Sequence, residues 1–362
     1  MTDTSLKHTP LYDAHIAAGA RIVDFAGWAM PVLYTGILEE TRAVRTDAGM
    51  FDISHMGRLR VAGPGATTLL QTLTSNDVAA LAPSRAQYSL LTNPQGGIID
   101  DIIVYRESAQ AYLVVVNASN TDKDLNWIYS HTPADVAIEN RTDETAMIAV
   151  QGPNAPARVG QVVGNRGLLS LDRFQYATGS IAGAEATFCR TGYTGEDGFE
   201  IIVPAGAAPG VWQALREAGV APCGLGARDA LRIEAGYPLY GHEIDDTTSP
   251  VEAGLMWVVK LDKGDFTGRD AIQAVKEQGP KRRLIGLTLR ERIVPRQGYT
   301  IYVGPEAVGE ITSGVFSPTR NHSIAMGYVA TPYARPGTEV EIAIRDKRAA
   351  ATVVPKKALL ES

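Results

Sequence analysis

Hydrophobic positions recur at helical spacing over residues 37–47, 66–73, 121–129 and 269–278, where every third or fourth residue is apolar. Between them lie short runs rich in β-branched and aliphatic residues, at 59–61, 88–91, 98–105, 112–116 and 145–150, which read as strands. Thr9-Pro10 supplies an N-cap and a proline for a first helix that Gly19 closes. The two kinds of segment alternate without a long parallel βαβ series, so the pattern predicts mixed α and β. Asn93-Pro94-Gln95-Gly96-Gly97 joins two strand runs directly, which implies antiparallel pairing there. The mixture continues from 155 to 234 and ends in a glycine-rich turn and helix, Gly224-Leu225-Gly226-Ala227-Arg228-Asp229. Gly279-Pro280 then break the helix over 269–278, and β runs recur at 284–289, 300–303, 308–312, 324–329, 340–344 and 351–354. Strands at that spacing with Gly/Pro turns predict a small antiparallel barrel or sandwich.

A chain of 362 residues is long enough for two or three domains and buries large cores without metal or disulfide staples. The two cysteines, Cys189 and Cys223, form no Cys-x-x-Cys pair, and so few thiols suit a reducing compartment. Met1 to Lys7 are polar and resemble neither a signal nor a transit peptide, and no stretch approaches the roughly 20 apolar residues of a membrane span. The expectation is a cytoplasmic protein without a membrane partner. A net charge of −6 disfavours nucleic acid, which needs a clustered basic surface; Lys281-Arg282-Arg283 and Lys356-Lys357 read as solvated loops.

Common motifs are missing. Gly224-Leu225-Gly226 lacks the third glycine of a dinucleotide fingerprint, no phosphate loop or Gly-x-Ser-x-Gly elbow occurs, and His242-Glu243 has no second histidine four residues on. No nucleotide, no metal and no serine nucleophile are therefore expected. What remains is a set of carboxylates and arginines in apolar or glycine-rich settings. The run Arg190-Thr191-Gly192-Tyr193-Thr194-Gly195-Glu196-Asp197-Gly198-Phe199-Glu200 crowds three carboxylates and an aromatic into a turn entering a strand over 199–203. Alternation puts Glu200 and Ile202 on one face of that strand, a carboxylate where core is expected; a surface hairpin with solvated acids is the competing reading. In Gly96-Gly97-Ile98-Ile99-Asp100-Asp101-Ile102-Ile103-Val104 the same alternation sends one aspartate inward. That acid is either hydrogen-bonded structure or a carboxylate that holds a ligand amine or manages a proton. Arg228 and Arg232, four apart on a helix, either pair with Asp229 or Glu234 or fork onto a ligand carboxylate. Asp24-Phe25-Ala26-Gly27-Trp28 and Met50-Phe51-Asp52-Ile53-Ser54-His55-Met56-Gly57 combine aromatics, sulfur and polar groups, as a flat heteroaromatic pocket or an aromatic core would.

Together these segments, with Val150-Gln151-Gly152-Pro153 and Ile311-Thr312-Ser313-Gly314-Val315-Phe316-Ser317-Pro318-Thr319, strongly resemble the T-protein (aminomethyltransferase) family of the glycine cleavage system, within the folate-binding T-protein superfamily. The resemblance runs nearly end to end. It implies an α+β three-domain cloverleaf, with two interleaved mixed α/β N-terminal domains over 1–265 (the second spanning 55–150), a linker helix over 266–280 and a C-terminal antiparallel β-barrel over 281–362. It further implies tetrahydrofolate as acceptor substrate, bound in the central opening, and the lipoylated H-protein as the partner that brings an aminomethyl group on sulfur. Asp101 then corresponds to the family's essential carboxylate near folate N10, and Glu200 holds the pterin. Tyr88, Tyr193 and Met56 line the folate pocket with Asn117 close by, and Arg228 stabilises the site or binds folate carboxylate. The C-terminus departs from the family pattern: Val353-Val354-Pro355-Lys356-Lys357-Ala358-Leu359 lacks the usual phenylalanine and late arginine, leaving Lys356 or Lys357 for the folate tail. Two rival readings share the fold, a folate-dependent demethylase of a small sulfonium, amine or aryl ether, and a non-enzymatic folate-binding protein of iron-sulfur cluster assembly. Retention of Asp100-Asp101 with the full Arg190 run favours aminomethyl transfer over the first. The second carries a cysteine motif that neither Cys189 nor Cys223 reproduces.

Overall fold

In the computed structural model, which describes residues 6–360, the chain forms two compact units. The first comprises the described part of Met1–Leu70 with Val78–Tyr88 and Ile102–Arg228; the second comprises Gln71–Asp77, Ser89–Asp101 and the described part of Asp229–Ser362.

The first unit contains a six-stranded sheet in the order Tyr176–Ile181, Ala184–Cys189, Gly198–Pro204, Thr145–Gln151, Gly49–Asp52, Ala221–Pro222. Its strands pair antiparallel except for the last, parallel pair. A strand in the middle of such a sheet has both faces covered, and Gly198–Pro204 is buried along all but its last residue. One face sends Phe199, Ile201 and Val203 into a core with Phe188, Ile148, Val150 and Trp212. The other face carries Glu200 and Ile202, as alternation requires. The helix Ala208–Glu217 closes the apolar side with Val211, Trp212 and Leu215, whose spacing makes a single stripe. A five-stranded sheet runs in the order Ala86–Thr92, Ile98–Ser108, Ala111–Val116, Gly57–Ala62, Ala137–Asn140. A two-stranded hairpin, Arg21–Phe25 with Trp28–Leu33, turns at Ala26-Gly27, both at positive φ.

In the second unit, six strands close into an antiparallel barrel: Arg282–Leu289, His322–Ala330, Glu306–Ser317, Thr300–Val303, Glu339–Ile344 and Lys347–Val354, which returns to pair with the first. Leu287, Ile301, Ile311, Val329, Ile342 and Val353 fill its interior. The α+β class and the C-terminal barrel thus agree with the sequence reading, and closure decides between barrel and sandwich. Closure also lengthens the strand expected over 308–312 to Glu306–Ser317, because its first part, Glu306–Glu310, pairs with Thr300–Val303 and its second, Gly309–Ser317, with the strand His322–Ala330. A register shift between Ile311 and Ser313 leaves Thr312 as the bulged residue; such a bulge re-aims the side chains that follow it.

The first helix begins at Tyr12, later than Thr9-Pro10 suggests. Thr9 Oγ1 does accept from the Leu11 amide at 3.3 Å, yet it donates to buried Asp52 at 2.6 Å, so the hydroxyl serves the core as much as the helix end. Both cysteines are free and buried. No helix of the described residues is long and apolar enough to cross a membrane.

Candidate functional site

The turn that precedes Glu200 is held from below by a buried side-chain amide. Gln151 Nε2 donates to the carbonyls of Thr191 at 3.1 Å and Phe199 at 3.4 Å, and its Oε1 accepts from Thr194 Oγ1 at 2.9 Å. From outside, Arg190 forks onto Asp197 at 2.7 and 2.6 Å, and Arg45 Nη1 donates to the Thr194 carbonyl at 2.7 Å and to Glu196 at 2.8 Å. Of the three acids in the run, Glu196 and Asp197 are thus structural clasps, and Glu200 alone is left for other work. Gly192 is required by the amide: a Cβ there would lie 1.9 Å from Gln151 Oε1. Gly198, at φ +156, would place a Cβ 2.1 Å from the Val150 carbonyl oxygen. Gly192→Ala therefore displaces a fully buried amide and its hydrogen bonds to Val150, Thr191, Thr194 and Phe199. The expected loss is about 1–3 kcal/mol, to be read as a lower denaturant midpoint with unchanged slope.

Glu200 is 8% exposed. Its Oε2 accepts from Thr191 Oγ1 at 2.5 Å, and its Oε1 accepts no hydrogen bond among the described residues. Burial pushes its carboxyl above the usual range, against the pull of Thr191 and of the Arg228 charge. Arg228 acts on Glu200 through space without a hydrogen bond to it. Its guanidinium lies 4.8 Å from the Tyr193 ring centroid, and its Nη1 is buried with no partner. Arg228 and Arg232, equivalent by spacing, have separate fates: Arg232 makes the ion pair with Asp229, whereas Arg228 forms none among the described residues. Nor does Arg228 pair with Asp229 or Glu234, the alternatives its sequence position offered.

His55 extends this group. Burial, first, and the nearby Arg228 and Arg58 charges lower its pKa to about 4 despite Asp52, so the ring is neutral at physiological pH, and its Nδ1 is buried without a partner. Phe25, 37% exposed at the tip of the first hairpin, sets its edge against His55 with centroids 5.5 Å apart. The two aromatic segments singled out in the sequence therefore meet, but their residues divide. Met50, Phe51 and Ile53 are core, and Asp52 is a buried acid accepting from Thr9 and the Ser54 amide and bonded to His15 at 2.9 Å. Met56 is partly exposed. It is fixed by Arg58, which donates to the carbonyls of Ser54, Met56, Thr142 and Thr145. Gly57 pairs with Val116, which puts Met56 and Asn117 at the same end of adjacent strands. Tyr88, partly exposed, lies on the edge strand Ala86–Thr92 of that sheet.

Asp101 belongs to the second unit and is described with it. Asp100 is fully buried and Asp101 is partly exposed, which settles which aspartate points inward. The charge of Asp100 acts on Tyr240, whose hydroxyl bonds to Asp246. Among the C-terminal lysines, Lys356 Nζ donates to the Ala253 carbonyl at 2.8 Å, and burial lowers its pKa to about 8; Lys357 is exposed.

The structure thus gathers Tyr193, Glu200 and Arg228, with His55 beside Arg228. No three or more His, Cys, Asp or Glu of the described residues are grouped to hold a metal ion. Sequence reasoning missed Tyr105, which reaches Thr191 at 3.2 Å from 86 positions away, and the separate importance of Thr191 and His55, although both stood inside quoted motifs.

Two family models match the chain, the GCVT N-terminal domain over residues 11–263 and the glycine cleavage T-protein C-terminal barrel domain over 282–358. The chain belongs to the glycine cleavage T-protein family. It is 48% identical to an aminomethyltransferase of Symbiobacterium thermophilum over 97% of this chain and 96% of the relative. Identity is 46% to that of Geobacillus kaustophilus, covering 97% and 98%. The crystal structure of the glycine cleavage system aminomethyltransferase T from Bartonella henselae superposes with a TM-score of 0.93 at 35% identity over 99% of each chain. As a T-protein family member the chain is an enzyme, a transferase of glycine cleavage, and its barrel is the family's C-terminal domain.

Proposed function

We propose that the chain takes the one-carbon unit of an aminomethyl group borne on the lipoyl sulfur of H-protein and delivers it to tetrahydrofolate, yielding 5,10-methylenetetrahydrofolate and ammonia. The observation that carries this reading is the pairing of an open carboxylate oxygen on Glu200 with the unpartnered Nη1 of Arg228. A carboxylate accepts from adjacent N–H donors, and a guanidinium supplies donors in a fixed fork. A pterin edge offers the complementary set, ring N–H and amino donors beside a carbonyl acceptor. The Tyr193 ring, already against Arg228, and Met56 add polarisable surface for a flat ring; Tyr88 and Asn117 complete the pocket.

The transfer breaks one C–S and one C–N bond and makes two C–N bonds to folate. The two protons leaving the folate nitrogens end on sulfur and on ammonia, and the carbon keeps its oxidation state. Asp101 is the residue for the proton side of this exchange: partly exposed, it orients the attacking nitrogen and stabilises positive charge as the bond forms. Neutral His55 adds no charge to repel a cationic one-carbon unit. Lys357 is the candidate for the glutamate tail, since Lys356 is bonded to Ala253. We place the reaction in the cytoplasm, in keeping with two free buried thiols.

The test is ammonia release and 5,10-methylenetetrahydrofolate formation from aminomethyl-loaded H-protein, with and without tetrahydrofolate. Stoichiometric, folate-dependent formation of both is expected. Folate binding without turnover on this donor would overturn the reading and direct the search to methyl donors.

A further inference from the structure

Glu200 is the terminus of a buried polar chain that the transfer reaction does not itself require. Tyr105, 1% exposed, comes from the strand Ile98–Ser108, and Cys189, fully buried, stands directly opposite Glu200 in the strand register. Thr191 lies between, in the turn that Gln151 holds. With Glu200 ionised, the hydrogens in this chain have one consistent arrangement. Thr191 Oγ1 donates to Glu200 Oε2 at 2.5 Å, so its only hydroxyl proton is used. The 3.2 Å contact between Tyr105 and Thr191 must then have tyrosine as donor. The Cys189 thiol acts on the same tyrosine hydroxyl. Both hydrogen bonds point toward Glu200, and the chain ends on one of its two oxygens.

We propose that Thr191 and Tyr105 are positioning residues for folate binding, forming a one-way hydrogen-bond chain that occupies Glu200 Oε2 and keeps Oε1 as an ionised acceptor for ligand N–H groups. This rests on the reading of Glu200 as the pterin-binding carboxylate. The logic is one of matched donors. A protonated Glu200 either carries its hydrogen on Oε1 and presents a donor to the donors of the ligand, or carries it on Oε2 and reverses the chain, leaving Oε1 a neutral and weaker acceptor. Burial drives the acid toward that form. The groups facing it that oppose or permit this are few: Arg228 is cationic and favours the carboxylate, while the Tyr105 hydroxyl and the Cys189 thiol are both pushed up by burial and stay neutral. Among the described residues Thr191 is therefore the one neutral donor holding the carboxylate ionised, and Tyr105 fixes the rotor of that donor.

The experiment measures tetrahydrofolate affinity of the full chain between about pH 5.5 and 9 for wild type, Thr191→Val, Thr191→Ser, Tyr105→Phe and Glu200→Gln, with thermal unfolding alongside. Thr191→Val keeps shape and removes the donor. Its affinity is expected to fall roughly tenfold or more near neutrality, the scale of a lost hydrogen bond to a charged group. The deficit should grow as pH falls and shrink as pH rises, because loss of the donor moves the Glu200 titration upward. Thr191→Ser should restore both affinity and profile, and Tyr105→Phe should shift the profile the same way by less. A Thr191→Val protein with the wild-type profile, or with a deficit equal at every pH and a lowered unfolding temperature, would overturn the proposal and leave Thr191 a purely structural residue. Glu200→Gln separates the two levels. If it binds folate as wild type does, the assignment of Glu200 to the pterin fails; if it loses binding while Thr191→Val does not, that assignment stands and the relay fails.

Discussion

Replacing Asp101 by asparagine is expected to lower aminomethyl turnover by roughly 10²–10⁴-fold, the range associated with removing a positioned acid–base group, while folate affinity changes by less than a factor of ten. The substitution keeps the shape and one acceptor oxygen and removes the charge. Because positive charge develops on the attacking nitrogen only as the new bond forms, the role proposed for Asp101 has its charge act in the transition state more than in the bound complex. Its loss belongs in kcat. The neighbouring Asp100→Asn supplies the contrast. Asp100 is fully buried and its charge acts on Tyr240, so its loss should appear as lowered stability, with whatever protein folds retaining most of its turnover. Rapid-quench measurement of ammonia release, paired with folate titration, reads both variants. An Asp101→Asn enzyme with full kcat, or one whose entire deficit lies in folate affinity, would remove Asp101 from the chemistry.

The division of labour between these two aspartates was half legible in the chain. Period-two alternation required that one of them point inward, but nothing local says which, because isoleucines flank both faces. The same limit recurs across the protein. The barrel could be read because most of its strands are bounded by Gly or Pro turns and alternate over a core of their own. The hairpin joining Tyr176–Ile181 to Ala184–Cys189 could not: its turn has Ala182 at φ 49 beside Gly183, and alanine gives no signal for a left-handed conformation. Glu200 was found because a carboxylate in an apolar alternation conflicts with burial, a conflict visible in sequence. Thr191 sat in plain view in the same run, yet its role depends on Tyr105, on a strand 86 residues earlier, and no periodicity links them. Arg228 and Arg232 show the point most directly. Identical spacing placed them together, and tertiary partners then made one a structural ion and left the other with a bare buried nitrogen.

Arg232→Met is expected to cost about 3–5 kcal/mol of stability, the penalty for leaving the other member of a buried ion pair uncompensated. Arg232 is 1% exposed. It donates to Asp229 at 2.8 Å, to Glu243 and Ser313 at 2.7 Å each, and to the Tyr237 carbonyl at 3.2 Å. Ser313 passes its own proton to Glu243 at 2.6 Å, and the Leu239 amide donates to the same carboxylate at 2.9 Å. The bulge at Thr312 re-aims the strand just before Ser313, the barrel residue that bonds to both members of this ion pair. Burial alone would raise the Glu243 carboxyl, but the Arg232 charge, with the Ser313 hydroxyl and the Leu239 amide, holds it below the ordinary range. A depressed carboxylate stabilises the fold above its unfolded pKa, and that contribution disappears as pH falls through the folded value. Without Arg232 the sign reverses: burial dominates, Glu243 prefers to be neutral, and every step toward higher pH then costs stability. The destabilisation of Arg232→Met relative to wild type should consequently be larger at pH 8 than at pH 5. Adding Glu243→Gln should recover a substantial part of the loss and flatten the pH dependence, because no buried charge remains to be compensated. Urea midpoints of the two single variants and the double variant at both pH values complete the cycle. A loss for Arg232→Met that is the same at pH 5 and pH 8, or one that Glu243→Gln deepens additively, would show that Arg232 acts through packing and its carbonyl contact and not through the carboxylate.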